Sequence, residues 1–377
     1  MSAVTNVAVV GAGVTGLAAA IGLAQSGVSV DVYEAASEMS TRGSGITLQG
    51  NALRALRALG LWDQVRQSGY PFEGLKLRAP GPAADIIADL PDVKTGGQDL
   101  PAAMGMPRAD LARIMHRGAI DAGARVHLDA QVTRLEESGT EVRLSVNGED
   151  RGGYDLVIGA DGLNSTVRRE LGITEKPEPT GMGIWRTFVS RPAEVTETQL
   201  YYGGPVYIAG YTPTGEDSMY AFLVEKAQDR TNVDDAEAIR IMEELSSGYG
   251  GPWEHIRTDL RQGAKVNYTW FTSHIVEAPW NRGRVVILGD AAHSCPPTIA
   301  QGAAQGLEDA TVLTELLTGA EKLDDTLWDA FHDRRTSRAA AVVEASVQLG
   351  RWQLESDREA DAPGLIVATA KKMAVPA

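Results

Sequence analysis

The sequence predicts an α/β fold built around a buried parallel sheet, and three short apolar stretches support that prediction. Residues 6–10, 155–159 and 284–288 are rich in Val, Ile and Leu, and each runs directly into a turn that contains glycine. Apolar runs of this length are typical of parallel strands that are covered by helices on both faces. The chain has 377 residues, 43% of them hydrophobic, which suits two interleaved domains.

The first strand leads into a glycine fingerprint. Gly11, Gly13 and Gly16 follow residues 6–10 and precede an apolar helical segment. In this arrangement the first glycine permits a tight turn, the second lets the backbone approach a pyrophosphate, and the third lets the helix pack against the strand. Glu34 ends the next strand, where a carboxylate accepts hydrogen bonds from ribose hydroxyls and repels a 2′-phosphate. The motif therefore predicts FAD or NAD, without deciding between them.

Two further motifs narrow the choice. Asp161 and Gly162 follow the second strand and lead into a helix that carries Arg168, and Gly289 and Asp290 follow the third strand. These motifs, in this order, resemble those of the group A flavoprotein monooxygenases, the family of para-hydroxybenzoate and salicylate hydroxylases and of urate-hydroxylating relatives. The resemblance runs from residue 4 to about residue 345.

The resemblance implies a fold and a set of ligands. The fold is α/β and para-hydroxybenzoate hydroxylase-like: a Rossmann-like FAD-binding domain is interleaved with a mixed-sheet substrate domain and followed by a C-terminal helix. FAD is the implied cofactor, and NADH or NADPH is a transient co-substrate. The chain offers no second dinucleotide motif, so we expect the nicotinamide nucleotide to bind across the flavin domain.

The resemblance also implies cofactor contacts. Asp290 is expected at the ribityl and pyrophosphate region, and Asp161 where flavin and nicotinamide nucleotide meet. Arg42 and Arg108 match positions near the cofactor, with a solvated surface charge as the alternative for each. The residues expected to bind the cofactor are Gly11, Gly13, Gly16, Glu34, Arg42, Arg108, Asp161, Gly289, Asp290, Pro297, Gln301, Gly302 and Ala303.

Residues 296–310 predict how the flavin ring is held. Two prolines stiffen this segment, and the small residues 300–304 let a helix N-terminus approach a flat ring. Its N–H groups would stabilise the anion of reduced flavin. The family usually has glycine where this chain has Ala300. We expect Glu308 and Asp309 to serve the helix, and His293 to be a structural hydrogen-bonding residue rather than a catalytic base.

The predicted domains alternate along the chain. Residues 1–70, 101–176 and 276–322 are assigned to the FAD-binding domain, residues 71–100 and 177–275 to the substrate domain, and residues 323–377 to a C-terminal helical segment. Strand-like alternation of aromatic and small residues marks the larger part of the substrate domain. The arginines near residue 335 are expected on the outer face of the C-terminal helix.

Residues of the predicted substrate-domain strands supply the candidates for catalysis. The candidates are Arg186, Tyr201, Tyr211 and Tyr220, with core packing as the alternative for the tyrosines. Trp185 and Arg186 are adjacent on a strand and therefore face opposite sides, so one of them is expected on the active-site face. Arg186 is the candidate anchor for an acidic substrate.

The predicted function is an FAD-dependent, NAD(P)H-consuming monooxygenase that hydroxylates a small aromatic or heteroaromatic compound through a flavin C4a-hydroperoxide. The alternatives are an epoxidase or Baeyer–Villiger enzyme, a flavin oxidase or reductase without oxygen insertion, and a flavin-bearing protein without turnover. The partners are then a small substrate and O2.

Composition limits the other partners. The net charge of −15 disfavours nucleic acid and anionic membranes. Cys295 is the only cysteine, which excludes a disulfide framework, and no metal site is predicted. With neither a targeting segment nor an apolar run long enough to span a membrane, we expect a cytoplasmic monomer or homodimer.

Overall fold

Four β-sheets and ten α-helices account for the regular structure in residues 2–39 and 45–377, the part of the chain that this computed structural model describes. The strands are β1 (Asn6–Val10), β2 (Ser29–Tyr33), β3 (Gly45–Gln49), β4 (Tyr70–Phe72), β5 (Gly74–Arg78), β6 (Ile86–Pro91), β7 (Ala103–Pro107), β8 (Arg125–His127), β9 (Val132–Ser138), β10 (Glu141–Val146), β11 (Glu149–Tyr154), β12 (Leu156–Gly159), β13 (Glu178–Ser190), β14 (Thr198–Tyr202), β15 (Ile208–Pro213), β16 (Ser218–Lys226), β17 (Val266–Ile275), β18 (Asn281–Arg282), β19 (Val285–Ile287) and β20 (His293–Ser294). The helices are α1 (Val14–Gln25), α2 (Gly50–Ala58), α3 (Trp62–Ser68), α4 (Arg108–Asp121), α5 (Thr166–Glu170), α6 (Asp235–Ser246), α7 (Pro252–Arg261), α8 (Gly302–Gly319), α9 (Asp325–Glu355) and α10 (Ala362–Ala374). Two short 3₁₀ turns span Gly289–Ala291 and Pro297–Ile299.

The three apolar stretches of the sequence form neighbouring parallel strands of one six-stranded sheet. Its strand order is β18-β19-β12-β1-β2-β8, and all pairs are parallel except β18 with β19. Strands β1, β12 and β19 are almost wholly buried, as the apolar runs predicted. Because the strands are parallel, the turns that follow β1, β2, β12 and β19 meet at one edge of the sheet.

Helix α1 packs on β1 and β2 of this sheet, and α8 packs closely on α1. A Cβ at Gly306 of α8 would lie 2.1 Å from the hydroxyl of Thr15 in α1, and one at Gly22 would lie 3.0 Å from the side chain of Thr314. Glycine at these positions lets the two helices approach each other closely. Thr15 and Gly306 both lie near the first turns of their helices, so the two helices begin next to each other, beside the loops at the sheet edge.

The second large sheet has eight strands in the order β20-β17-β13-β16-β15-β14-β5-β6. Side chains alternate between its two faces. One face, with Trp185, Tyr201 and Tyr211, packs against α6 and α7 around Trp253. The opposite face carries Arg186 and its neighbours and is partly covered by Leu354 of α9.

The last two helices connect the sheets. Helix α9 packs on α8 and on β13 and β17, and α10 packs on α9 and α2. The expected charged outer face of α9 is wrong at two positions, because Arg335 is fully buried and Arg338 is 7% exposed. Across the described part of the chain, no helix is both long enough and apolar enough to cross a membrane.

The strands also show where the predicted domain boundaries fall. The boundary between residues 70 and 71 cuts through β4, which pairs with β7, so a division after Glu73 fits the sheets better. The other predicted boundaries lie in connections between elements. Strand β20, in the predicted FAD-binding segment, pairs with β17 of the large sheet.

Candidate active site

The three sequence motifs converge at the carboxyl edge of the six-stranded sheet. Gly11 N–H donates to the Tyr33 carbonyl oxygen (2.8 Å), Ala160 N–H to that of Val10 (2.8 Å), and Leu288 N–H to that of Gly159 (2.9 Å). These bonds hold the loops after β1, β2, β12 and β19 side by side. The loops that carry Gly11, Glu34, Asp161 and Asp290 therefore meet at this edge of the sheet, and a cofactor bound to all of them remains a prediction.

The three glycines of the fingerprint have different surroundings. Gly11 has φ of +102°, and a Cβ there would lie 2.4 Å from the Ala160 carbonyl oxygen; a Cβ at Gly16 would lie 2.0 Å from that of Gly11. At Gly13 no protein atom lies within 4 Å of a Cβ. Gly11 and Gly16 are thus required by the fold, whereas Gly13 borders open space at the N-terminus of α1. A pyrophosphate requires open space next to the backbone N–H groups at a helix N-terminus. Gly13 leaves such a space at the start of α1, so the site fits FAD.

Glu34 is fixed at the same edge. Its Oε2 accepts a hydrogen bond from Ala12 N–H (2.8 Å) and its Oε1 accepts one from Ala36 N–H (2.9 Å). A carboxylate oxygen has room for a second bond, so this geometry leaves acceptors for ribose hydroxyls.

Asp290 and Arg108 are two further charged residues near this edge, close enough for their charges to interact. Asp290 follows β19 and is accessible from the cleft, while the protein atoms around it raise the pKa of its carboxyl; His293 and Arg108 oppose that shift. Arg108 is exposed and is the first residue of α4, after Pro107. Arg42, the other predicted arginine, lies outside the described residues.

Asp161 has a structural task. Its carboxylate accepts hydrogen bonds from the Ser165 hydroxyl, from Thr166 N–H (2.7 Å) and from Val167 N–H (3.1 Å), so it anchors the start of α5. A contact between Asp161 and the cofactor stays a prediction.

Arg168 connects two of the motif loops, a role that the sequence reasoning missed. Its guanidinium donates to the carbonyl oxygens of Leu163 (2.6 Å) and Ala291 (2.9 Å) and to Nε2 of His274 (3.2 Å). Because arginine only donates, His274 Nε2 accepts, and the other ring nitrogen faces the Ser294 hydroxyl (2.7 Å). Burial and the Arg168 charge lower the pKa of His274 to about 4.

The segment predicted to hold the flavin ring forms a tight turn before α8. The 3₁₀ turn Pro297–Ile299 is followed by Ala300 at φ +52°, a left-handed conformation that favours glycine. At Gly302, the first residue of α8, no protein atom lies within 4 Å of a Cβ. The side chain of Gln301 turns into the protein and pairs with Asn51 (3.0 and 3.1 Å), which leaves only its backbone for a cofactor.

A buried ionic network lies behind this turn. Asp309 accepts hydrogen bonds from Gly289 N–H (2.9 Å), His293 Nε2 (2.7 Å) and Arg335 Nε (2.7 Å). Burial alone would raise the pKa of Asp309, but His293 and Arg335 hold it well below its usual range. His293 is thus bonded within the protein, as expected of a structural residue.

Glu308 extends the network. It pairs with Arg335 (2.7 Å) and Arg338 (2.9 Å), and more weakly with Arg54 (3.4 Å). Glu308 therefore faces α9 and α2, and Asp309 faces α9 and the segment after β19.

The open face of the large sheet carries two of the four catalytic candidates. Arg186 Nε donates to the Tyr220 hydroxyl (3.0 Å), and the guanidinium also contacts the Thr269 hydroxyl. Phe222, opposite Arg186 in the register, and Phe188 lie against the Tyr220 ring.

Tyr201 and Tyr211 are excluded from the catalytic candidates by their burial. Both side chains have 0% exposure on the opposite face of the sheet. Their hydroxyls lie 3.2 Å apart, and that of Tyr211 donates to Gln199 (2.7 Å). Burial raises the pKa of both phenols. They are core residues with satisfied hydroxyls, which corrects the sequence-based prediction.

A cavity of about 250 Å³ adjoins the open face of the large sheet. It lies between β14, β15, the 3₁₀ turn Pro297–Ile299 and the C-terminal helices. It is lined by Tyr202, Ile208, Thr298, Leu349, Trp352, Gln353, Ser356, Asp357, Ala360, Ala362 and Ile366.

Within residues 2–39 and 45–377, His, Cys, Asp and Glu side chains form no group that could hold a metal ion.

The fold and the loops at the carboxyl edge of the six-stranded sheet are those of a flavin enzyme, and sequence comparison identifies its family. The chain belongs to the FAD binding domain family, which matches residues 4–346. It is an FAD-dependent monooxygenase. The family resemblance, the para-hydroxybenzoate hydroxylase-like fold and the FAD cofactor predicted from the motifs are thereby confirmed.

Named relatives cover nearly the whole chain. The 3-amino-4-hydroxybenzoate 2-monooxygenase of Streptomyces cremeus is 30% identical over 348 residues, which are 89% of this chain and 84% of the relative. The 2-heptyl-3-hydroxy-4(1H)-quinolone synthase of Pseudomonas aeruginosa (strain UCBPP-PA14) is 27% identical over 354 residues, 92% of this chain and 90% of the relative. The crystal structure of Klebsiella pneumoniae HpxO complexed with FAD and uric acid superposes with a TM-score of 0.81 at 23% identity, covering 98% of this chain and 96% of that one.

Proposed function

We propose that this monooxygenase hydroxylates a small aromatic or heteroaromatic compound, with O2 and either NADH or NADPH as co-substrates. The observation that supports this best is the open face of the large sheet, where Arg186 lies beside Tyr220 and Phe222. The named relatives act on an aminohydroxybenzoate or form a hydroxyquinolone, both aromatic compounds.

The residues that would hold FAD are those at the carboxyl edge of the six-stranded sheet. Gly13 and the N-terminus of α1 would receive the pyrophosphate, Glu34 the ribose hydroxyls, and Asp290 the ribityl region. When bound, FAD supplies electron transfer from the nicotinamide and activation of O2. The N–H groups at the start of α8 stabilise negative charge in front of them without any charged side chain.

On the substrate side, Arg186 positions the compound to be oxidised. Tyr220 and Thr269 hold its guanidinium at the sheet surface. Its positive charge would favour an ionised hydroxyl or carboxylate on the substrate, and an ionised phenol ring is richer in electrons. The rings of Phe188, Tyr220 and Phe222 lie on the same face and offer apolar surface to an aromatic substrate.

The remaining features of the proposal concern the whole chain. We infer an FAD-binding part from residues 1–73, 101–176 and 276–322, a substrate part from residues 74–100 and 177–275, and a C-terminal segment from residue 323 onward. We further propose a cytoplasmic monomer or homodimer with neither nucleic acid nor membrane as partner. The net charge of −15 supports the last point.

The test is the rate of NADH and NADPH oxidation by the FAD-loaded protein over a panel of phenols, aromatic acids and N-heterocycles, with hydrogen peroxide assayed in parallel. A compound that accelerates oxidation with little peroxide supports hydroxylation. For an anionic substrate, Arg186→Met should raise KM by about tenfold, and Arg186→Lys by less, because lysine keeps the charge but loses the planar donor set. Acceleration by none of the compounds, or only with stoichiometric peroxide, contradicts the proposal.

A further inference from the structure

The cavity beside the open face is built largely by the C-terminal segment. Strands β14 and β15 contribute Tyr202 and Ile208, and the turn before α8 contributes Thr298. Most of the other lining residues belong to the end of α9, the start of α10 and the connection between them, after residue 346, where the family match ends. This wall therefore lies outside residues 4–346, the part of the chain that the family model matches.

The chemistry of the lining is neutral to acidic. Leu349, Trp352 and Ile366 provide apolar surface, and Asp357 is the charged residue. None of the described residues that line the cavity is Lys, Arg or His. A carboxylate in this cavity would meet no cation and would face Asp357, whereas an apolar group would be stabilised by burial.

One lining residue presents a polar atom without a partner. Within the described part of the chain, Oε1 of Gln353 is buried and accepts no hydrogen bond. A buried acceptor without a partner is unfavourable, so a rotation of the Gln353 amide that brings this oxygen to a donor on a bound molecule would be stabilising. An N–H or O–H group beside the apolar substituent would supply that donor.

The position of the cavity relates it to Arg186. Arg186 lies opposite Phe222, which lies opposite Gly210, and Ile208 is two residues further along β15. With strands 4.8 Å apart and 3.4 Å per residue, Arg186 and Ile208 are about 12 Å apart. The same sheet face thus has a cationic end and a neutral end, separated by about the length of a substituted bicyclic ring.

The volume sets the size of the occupant. A cavity of about 150 Å³ holds benzene, and this one measures about 250 Å³. It has room for a chain of several carbons or one further ring.

We propose that this cavity is the substrate's substituent subsite, which takes a neutral apolar group with an adjacent hydrogen-bond donor that pairs with Gln353. The proposal rests on the proposed function, because it assigns the distal part of the same substrate. It specifies the substrate class as an extended heteroaromatic with an uncharged substituent rather than a single-ring acid.

Three probes that differ at one position test the proposal. They are 4(1H)-quinolone, 2-heptyl-4(1H)-quinolone and 4(1H)-quinolone-2-carboxylate, titrated into the FAD-loaded protein without nicotinamide nucleotide and followed by the change in flavin fluorescence. Because each buried methylene contributes about 0.8 kcal/mol, the heptyl compound should bind at least about tenfold more tightly than the unsubstituted ring. The carboxylate should bind more weakly than the heptyl compound, because its charge gains nothing in the cavity.

Neighbouring residues of α10 supply a matched pair of variants. Ile366 lines the cavity, whereas Val367 is 41% exposed. Ile366→Trp should weaken binding of the heptyl compound by about tenfold and leave the unsubstituted ring within about twofold, while Val367→Trp should change neither. Gln353→Leu should weaken 2-heptyl-4(1H)-quinolone more than its N-methyl derivative, which has no donor.

The outcomes separate this proposal from the proposed function. Equal affinity for the three probes, no binding of the heptyl compound, or equal behaviour of Ile366→Trp and Val367→Trp would overturn the subsite. None of these readouts depends on turnover. If the proposed hydroxylation is wrong but the subsite is right, the NAD(P)H and peroxide assay shows no coupled oxidation, while the probes still bind as expected.

Discussion

Gly13 offers the most direct test of a single residue, because a side chain there would meet open space rather than other protein atoms. Its φ of −76° is accessible to any residue, and a Cβ there meets no protein atom within 4 Å. Gly13→Val should therefore fold normally and retain less than about a tenth of the wild-type FAD per chain. Flavin absorbance after purification, with circular dichroism for folding, measures both.

Gly152 provides the matched control. It too has open space around a Cβ, but it lies on strand β11, away from the cleft. Gly152→Val should keep its FAD. Full flavin content in Gly13→Val would show that the pyrophosphate lies elsewhere.

Ala300 carries a backbone conformation better suited to glycine. A left-handed conformation costs an alanine about 1–2 kcal/mol, part of which a glycine loses again as chain entropy. Ala300→Gly should raise the free energy of unfolding by up to about 1 kcal/mol, measured by urea titration. Ala303→Gly, within α8, should lower it instead, since glycine is unfavourable there; a loss of stability in Ala300→Gly would refute this explanation.

His274 makes stability depend on acid pH. Its pKa is lowered to about 4 in the folded protein, against an ordinary value near 6.5, so the unfolded chain takes up the proton first as pH falls. Stability is present above about pH 6.5 and is lost as pH falls toward 4. Between about pH 7.5 and 4.5, the wild type should lose about 2 kcal/mol more unfolding free energy than His274→Gln. Equal losses in the two proteins would contradict the buried neutral histidine.

Residues with a motif could be predicted, and residues without one could not. Gly11, Gly13 and Glu34 act through short-range spacing, which the sequence displays. Tyr201 and Tyr211 were wrong as catalytic candidates because the choice between the two faces of a strand depends on which partner elements cover each face. The N–H groups that surround Asp161 likewise come from its own loop, whose conformation no pattern specified.

At the scale of elements, the contact between α8 and α9 depends on buried charge. Arg335 pairs with Asp309 and Glu308, all three almost fully buried. Removing one partner of a buried ion pair leaves an uncompensated charge, so Arg335→Leu should cost about 3–5 kcal/mol of unfolding free energy, measured by urea titration.

The adjacent residue is the control for that substitution. Arg334 pairs with Glu315, whose side chain is 67% exposed. Arg334→Leu should cost less than about 1 kcal/mol. Similar costs for the two variants would show that the buried network does not hold the helices together.

The sequence contained a signal for this network. Arg335 and Arg338 are spaced three to four residues from Phe331 and Val342, which places all four on one stripe of α9. Their charge predicts that the two arginines lie on the outer face of α9, whereas their spacing places them on its buried stripe. Glu308 and Asp309 of α8 pair with these arginines and thereby offset the free-energy cost of burying their charges.

At the scale of the molecule, the order of the motifs predicted the α/β architecture and the flavin cofactor. The C-terminal cavity lay beyond that prediction, because it exists only where α9 and α10 meet strands 150 residues earlier in the chain. Its volume and the unpaired Gln353 are results of that packing. If the proposed subsite is correct, substrate specificity depends on the part of the chain with the fewest sequence signals.

The measurement that tests the account most directly is product analysis after turnover under isotopically heavy O2, with 4(1H)-quinolone and its 2-heptyl derivative as competing substrates. The account predicts one heavy oxygen atom in a ring-hydroxylated product and preferential conversion of the heptyl compound. Heavy oxygen recovered only in peroxide, with both quinolones unchanged, would contradict it.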